Sequence, residues 1–187
     1  VYRITPQGSY KQLYTFAGGT DGALPSSRLT NVDGTLYGTT QNGGSGCGGS
    51  GCGTVFTITT SGEEKVVYRF AGGSDGAHPY SRVIDVSGTL YGTTAQGGGG
   101  SACTGGCGTV YSVTPGGSEK VLYRFAGGSD GWSPQASLID IQGTLYGTTA
   151  FGGDTRKGAV DCCGTVFALS NAKTVPHSYV PPSFVVP

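Results

Sequence analysis

The chain has no methionine, a single tryptophan and two histidines, and only 12% of its 187 residues carry charge. Eleven acidic side chains are balanced by eleven basic ones, so there is no net positive field to hold a nucleic-acid backbone or an acidic membrane surface. No stretch approaches the roughly 18 consecutive apolar residues of a membrane-spanning helix. Without methionine, and with Val1 already inside a strand-like motif, the chain is expected to be a processed or excised product. Glycine is what it has in quantity. The 37 glycines and a 36% hydrophobic content point to short strands joined by tight turns, and against long helices.

Three near-copies of one unit account for almost the whole chain. Phe16-Ala17-Gly18-Gly19 returns at Phe70 and Phe125, 54 and then 55 residues on. Gly34-Thr35-Leu36-Tyr37-Gly38-Thr39-Thr40 returns at Gly88 and Gly143, and a Gly-Thr-Val-aromatic segment begins at Gly53, Gly108 and Gly164. Such a period marks a stack of supersecondary units that bury their apolar faces on each other.

Within the second copy the alternation and the β-branched runs predict four strands, over Arg82 to Val86, Thr89 to Thr94, Thr109 to Thr114 and Lys120 to Phe125. Asp33-Gly34, Ser87-Gly88 and Gln142-Gly143 have the chemistry of two-residue hairpin turns, since glycine takes a positive φ without steric cost. Four antiparallel strands per unit predict an all-β, propeller-like array of about three four-stranded blades over residues 1–170. A β-solenoid is the competing architecture. Strands of the third type number four, because Val1 to Thr5 aligns with Val55 to Thr59 and with Val166 to Leu169. The array is therefore frame-shifted: it opens on a third and a fourth strand and closes on a third. Its ends are expected to pair, either within the chain or with a second chain in a ring or a head-to-tail polymer. Residues 171–187, with Pro176, Pro181, Pro182 and Pro187, read as an extended tail that is either a linker or an arm for a neighbouring subunit.

In order along the chain, Ser74-Asp75-Gly76-Ala77-His78-Pro79-Tyr80, Gly88-Thr89-Leu90-Tyr91-Gly92-Thr93-Thr94 and Gly108-Thr109-Val110-Tyr111 resemble the consensus of the GloVer tandem repeat. That resemblance implies a propeller-like array in an extracellular or surface-attached protein, and it brings no biochemical activity with it. The chain departs from the family pattern in having only three full units and in placing cysteine pairs in its loops.

The six cysteines fall in close pairs, Cys47 with Cys52, Cys103 with Cys107 and Cys162 with Cys163, each just before the Gly-Thr-Val segment of its own unit. One local disulfide per unit is the economical arrangement, which implies an oxidising compartment outside the cytosol. Free thiols and metal ligation are the alternatives, and the adjacent Cys162 and Cys163 either bridge each other or pair elsewhere.

Chemistry is sparse. Gly72-Gly73-Ser74-Asp75-Gly76 matches a nucleophile elbow, but it recurs in the next unit, precedes a strand instead of a helix and has only His78 and His177 as candidate partners. Asp21, Asp75 and Asp130 recur in Gly-Gly-(Ser/Thr)-Asp-Gly turns, where each either closes an Asx-type turn or gives a carboxylate to a calcium ion. No other cofactor is expected. Asp85 and Asp140 share a strand position that is Asn31 in the first unit, which argues against a repeated acid for glycoside cleavage. The copies differ most at Ala23-Leu24-Pro25-Ser26, Ala77-His78-Pro79-Tyr80 and Trp132-Ser133-Pro134-Gln135. His78, Tyr80, Trp132 and Gln135 are therefore the candidate ligand residues, with a glycan as the ligand that would stack on an aromatic ring. The expected role is a non-enzymatic, self-assembling structural protein outside the cell, with a lectin-like module and a polysaccharide-active enzyme as alternatives.

Overall fold

The structure, a computed structural model, describes residues 1–153 and 163–170. It is all-β. An N-terminal hairpin of β1 (Tyr2–Ile4) and β2 (Tyr10–Gln12) precedes a first sheet of β3 (Thr30–Val32), β4 (Thr35–Thr40), β5 (Thr54–Ile58) and β6 (Glu64–Arg69). The second sheet contains β7 (Ile84–Val86), β8 (Thr89–Thr94), β9 (Thr109–Val113) and β10 (Glu119–Arg124). The third contains β11 (Ile139–Ile141), β12 (Thr144–Thr148) and β13 (Val166–Ser170). Among the described residues every pairing of named strands is antiparallel and joins strands consecutive in sequence, so each sheet is a simple meander.

Local chemistry sets the turns. Asp33 and Gly34, Ser87 and Gly88, and Gln142 and Gly143 all have positive φ, the type I′ geometry whose twist matches a two-residue hairpin. Asn31 Oδ1 accepts a hydrogen bond from the Gly34 amide and Asp85 Oδ1 accepts one from that of Gly88. The Asn/Asp interchange is thereby explained, because the turn needs a side-chain oxygen and not a charge. β7 begins at Ile84 and not at the predicted Arg82. The carbonyls just before it are used elsewhere: Ser81 accepts a hydrogen bond from Thr39 and Val83 accepts one from Thr30, tying the second sheet to the first.

Successive sheets pack face to face. One core joins Tyr37, Val55 and Phe70 to Val83, Leu90, Tyr111 and Val113; a second joins Ile84, Val110 and Phe125 to Leu138 and Leu145, with Phe167 packed against it. An aromatic step repeats at each junction. Phe16, Phe70 and Phe125, each just beyond a fourth-type strand, meet Phe56, Tyr111 and Phe167 of the next sheet edge to face at 4.8, 4.9 and 5.1 Å, the arrangement that suits the ring quadrupoles. Each sheet thus has a leading face, turned toward the unit before it, and a trailing face, turned toward the unit after it. The hairpin supplies only two strands, so Leu29 and Leu36 of the first sheet are half-buried where Val83, Leu90, Leu138 and Leu145 are buried.

Candidate functional site

Two of the cysteine pairs are disulfides, Cys47 with Cys52 and Cys103 with Cys107. Cys163 is also disulfide-bonded, while Cys162 lies outside the described residues. The bridged loops face the following unit. A Cβ on Gly72 would stand 2.9 Å from both sulfurs of the first bridge, and one on Gly127 would stand 3.1 and 3.2 Å from those of the second. The Cys52 and Cys107 carbonyls accept hydrogen bonds from the His78 and Ser133 amides, at 2.8 and 2.9 Å. Each disulfide loop therefore clasps the residue that precedes proline in the next unit.

The clasp falls on an unusual backbone, which Leu24 adopts without one; common to all three units is a hydrogen bond to the carbonyl of that residue, from the Gln41, Ala95 or Ala150 amide. Leu24, His78 and Ser133, all followed by proline, have φ of 58°, 56° and 56°, a conformation costly for a residue with a side chain. The candidate ligand residues lie around it. His78 Nδ1 is 3.0 Å from the Gln41 carbonyl and 3.2 Å from Asn42 Oδ1, both in the preceding unit. Trp132 stacks on Phe151 at 4.3 Å between ring centroids and packs against the second core, so one of its faces is covered. Gln135 is exposed and donates from Nε2 to Ser133 Oγ at 3.0 Å, and Tyr80 is exposed. The fold places these four residues at equivalent loops of two different units, and not around one cavity.

Asp21, Asp75 and Asp130 occupy equivalent turns. Each accepts a hydrogen bond from a tyrosine hydroxyl seven residues earlier, Tyr14, Tyr68 or Tyr123, at 2.9, 3.0 and 2.7 Å. Each also accepts from an alanine amide, that of Ala17, Ala71 or Ala126, at 2.6 to 2.7 Å. The carboxylates serve the turn, and among the described residues no three His, Cys, Asp or Glu side chains converge to hold a metal ion. The hydrogen bond to Asp21 pushes the Tyr14 hydroxyl up to about 12; burial, then the bond to Asp130, does the same to Tyr123.

A second carboxylate faces two of these turns from the next sheet. Glu64, at the start of β6, and Glu119, at the start of β10, are half-buried, and each has a buried Oε1 without a hydrogen-bond partner. Burial, reinforced by Asp21, raises Glu64 to about 7, against the lowering effect of Arg69 and Tyr14. Burial, reinforced by Asp75, raises Glu119 to about 7 against Arg124 and Tyr68. The folded chain therefore holds more protons than the unfolded chain between the ordinary value near 4.5 and about 7. Stability is fully present below that window and is lost as pH rises through it. Glu64→Gln combined with Glu119→Gln is expected to flatten the profile and to raise the unfolding free energy above pH 7, by about 1 kcal/mol per site after discounting for solvent screening. Urea titrations across the window check this, and an unchanged slope in the double variant would refute it.

A model of the Gloeobacter/Verrucomicrobia repeat matches residues 47–180, more than half of the chain. The chain belongs to the Gloeobacter/Verrucomicrobia repeat family. No curated protein matches it. In this chain the Gloeobacter/Verrucomicrobia repeat is built as an antiparallel meander whose loops between second and third strands carry the disulfides. Sequence reasoning passed over Glu64 and Glu119 and the tyrosine partners of the aspartates. A signal was present, since a tyrosine stands seven residues before the aspartate in all three copies.

β1, of the third type, pairs only with β2, and β13, also of the third type, pairs only with β12 among the described residues. Among the described residues, no helix is long and apolar enough to cross a membrane.

Proposed function

We propose that this protein is a non-enzymatic, extracellular structural repeat protein that assembles with copies of itself through its terminal strands. The observation that carries the reading is a pair of strand edges that have no partner among the described residues. β1 and β13 each leave one strand edge unpaired among the described residues, and an unpaired edge is a template for another chain. Disulfides in two consecutive units support an oxidising location. The architecture we favour is propeller-like: each meander runs from a first to a fourth strand, and the first strands β3 and β7 of adjacent sheets lie against each other, as strands do around a common axis.

The test is particle mass as a function of dilution, by sedimentation equilibrium. Mass is expected to rise with concentration beyond that of a single 18.8 kDa chain. A mass that stays at one chain over the whole range sinks the reading.

A further inference from the structure

The turn that joins the first sheet to the second closes over the first disulfide. Gly72 in that turn is buried, and a Cβ on it would meet the Cys47 and Cys52 sulfurs at 2.9 Å each. The other side of the turn is solvent, with Gly73 and Ser74 exposed. Cys52 is fully buried, while residues 45–50, Cys47 among them, lie exposed at the surface. Lifting the turn therefore uncovers the bridge to a reagent in solution.

Two sets of contacts hold the turn down. Within it, Asp75 Oδ2 accepts hydrogen bonds from the Ala71 amide at 2.7 Å and from the Tyr68 hydroxyl at 3.0 Å. From β10, Arg124 Nε donates to the Ser74 carbonyl at 3.1 Å, and Glu119 faces Asp75. Asp75 Oδ1 and Glu119 Oε1 are both buried, and neither has a hydrogen-bond partner. Two buried carboxyl groups side by side cannot both ionise cheaply, so the pair retains a proton. Burial, then Asp75, keeps that proton on Glu119 up to about 7, against the lowering effect of Arg124 and Tyr68. Burial raises the Tyr68 and Tyr111 hydroxyls, the other titrating groups that sense Glu119, and both stay neutral throughout.

We propose that the turn from Gly72 to Gly76 is a pH-operated cover over the Cys47–Cys52 disulfide, latched by the proton that Glu119 holds against Asp75 and released when that proton leaves. The opening is local and lies below whole-chain unfolding in free energy. Below neutral pH the latch is closed; as pH rises through 7 the two carboxylates repel and the turn lifts. A dithiol in solution then attacks one sulfur as its thiolate. The bridge's S–S bond breaks, a mixed disulfide forms, and the displaced cysteine takes a proton from water. The second thiol of the reductant displaces the other cysteine, so the bridge gains two electrons and two protons and the reductant leaves as a cyclic disulfide. Reduction frees the loop whose Cys52 carbonyl holds the His78 amide. Alkaline pH and a dithiol together unclasp the first junction, and either alone leaves the clasp in place.

The experiment uses the full chain and dithiothreitol, with the Cys47–Cys52 bridge followed by alkylation and peptide mass. From about pH 5.5 to about pH 8.5 the rate is divided by that of the urea-unfolded chain at the same pH, which removes the pH dependence of the reagent's own thiolate. The ratio should rise about tenfold as Glu119 loses its proton, the equivalent of one pKa unit of interaction. In Glu119→Gln, with the fold verified by circular dichroism, the ratio should stay at its low acidic value, because the amide is uncharged and can donate to Asp75 at every pH. A wild-type ratio that does not change with pH overturns the proposal. So does a step of the same size in Glu119→Gln, since another group would then work the cover. A rate that climbs in low urea with the full slope of global unfolding also overturns it, because exposure would then come from unfolding of the whole chain.

Discussion

Phe70→Ala is expected to lower stability by about 3–5 kcal/mol, the cost of emptying a large aromatic site in a packed core. Phe70 is fully buried and makes edge-to-face contacts with Tyr68 at 5.2 Å and Tyr111 at 4.9 Å. It is the side chain through which the first sheet grips the second, so its loss opens a junction in addition to leaving a cavity. Phe16→Ala is the internal control. Phe16 makes the same step onto Phe56 but is only half-buried under the two-stranded hairpin, and its loss should cost clearly less. Urea unfolding of both variants settles the order; equal losses would mean that burial at the junction does not set the cost.

Removing the Cys47–Cys52 and Cys103–Cys107 disulfides is the next largest effect. Each closes a loop of only a few residues, 47 to 52 and 103 to 107, worth roughly 2 kcal/mol in unfolded-chain entropy. The native contribution adds to this, since each loop holds the following unit through the Cys52 or Cys107 carbonyl and lies against Gly72 or Gly127. Cys47→Ser with Cys52→Ser should therefore lower the urea midpoint and release the His78 amide to hydrogen exchange. Loss of stability without faster exchange at His78 would show that the loop acts on the unfolded chain alone.

The strands and hairpins were legible in the sequence because their signals are local: alternation, β-branched residues and X-Gly pairs at turns. The two disulfides were legible because each pair is separated by only a few residues and sits in a repeated frame. Contacts between units were harder to read. Nothing near His78 in the sequence announces that its amide is held by Cys52, and the positive φ before proline runs against the local preference. Trp132 looked available for a sugar ring because the copies differ at its loop; the structure sets it against Phe151, itself a residue that the other copies lack at that position. Glu64 and Glu119 carry no local signal, since a charged residue at a strand start is usually solvated, and only packing against the preceding turn buries them.

The aromatic step from each fourth-type strand reaches forward by one sheet, and in all three junctions the residues that give and the residues that receive are of the same kind. Coupling of this sort is limited to nearest neighbours. A duplicated or deleted unit would meet the same pair of faces it left, with no compensating substitution required elsewhere in the chain. For a protein so constructed, copy number can vary while the unit itself stays fixed, and the gene can lengthen or shorten its product in whole sheets without passing through an unfolded intermediate form.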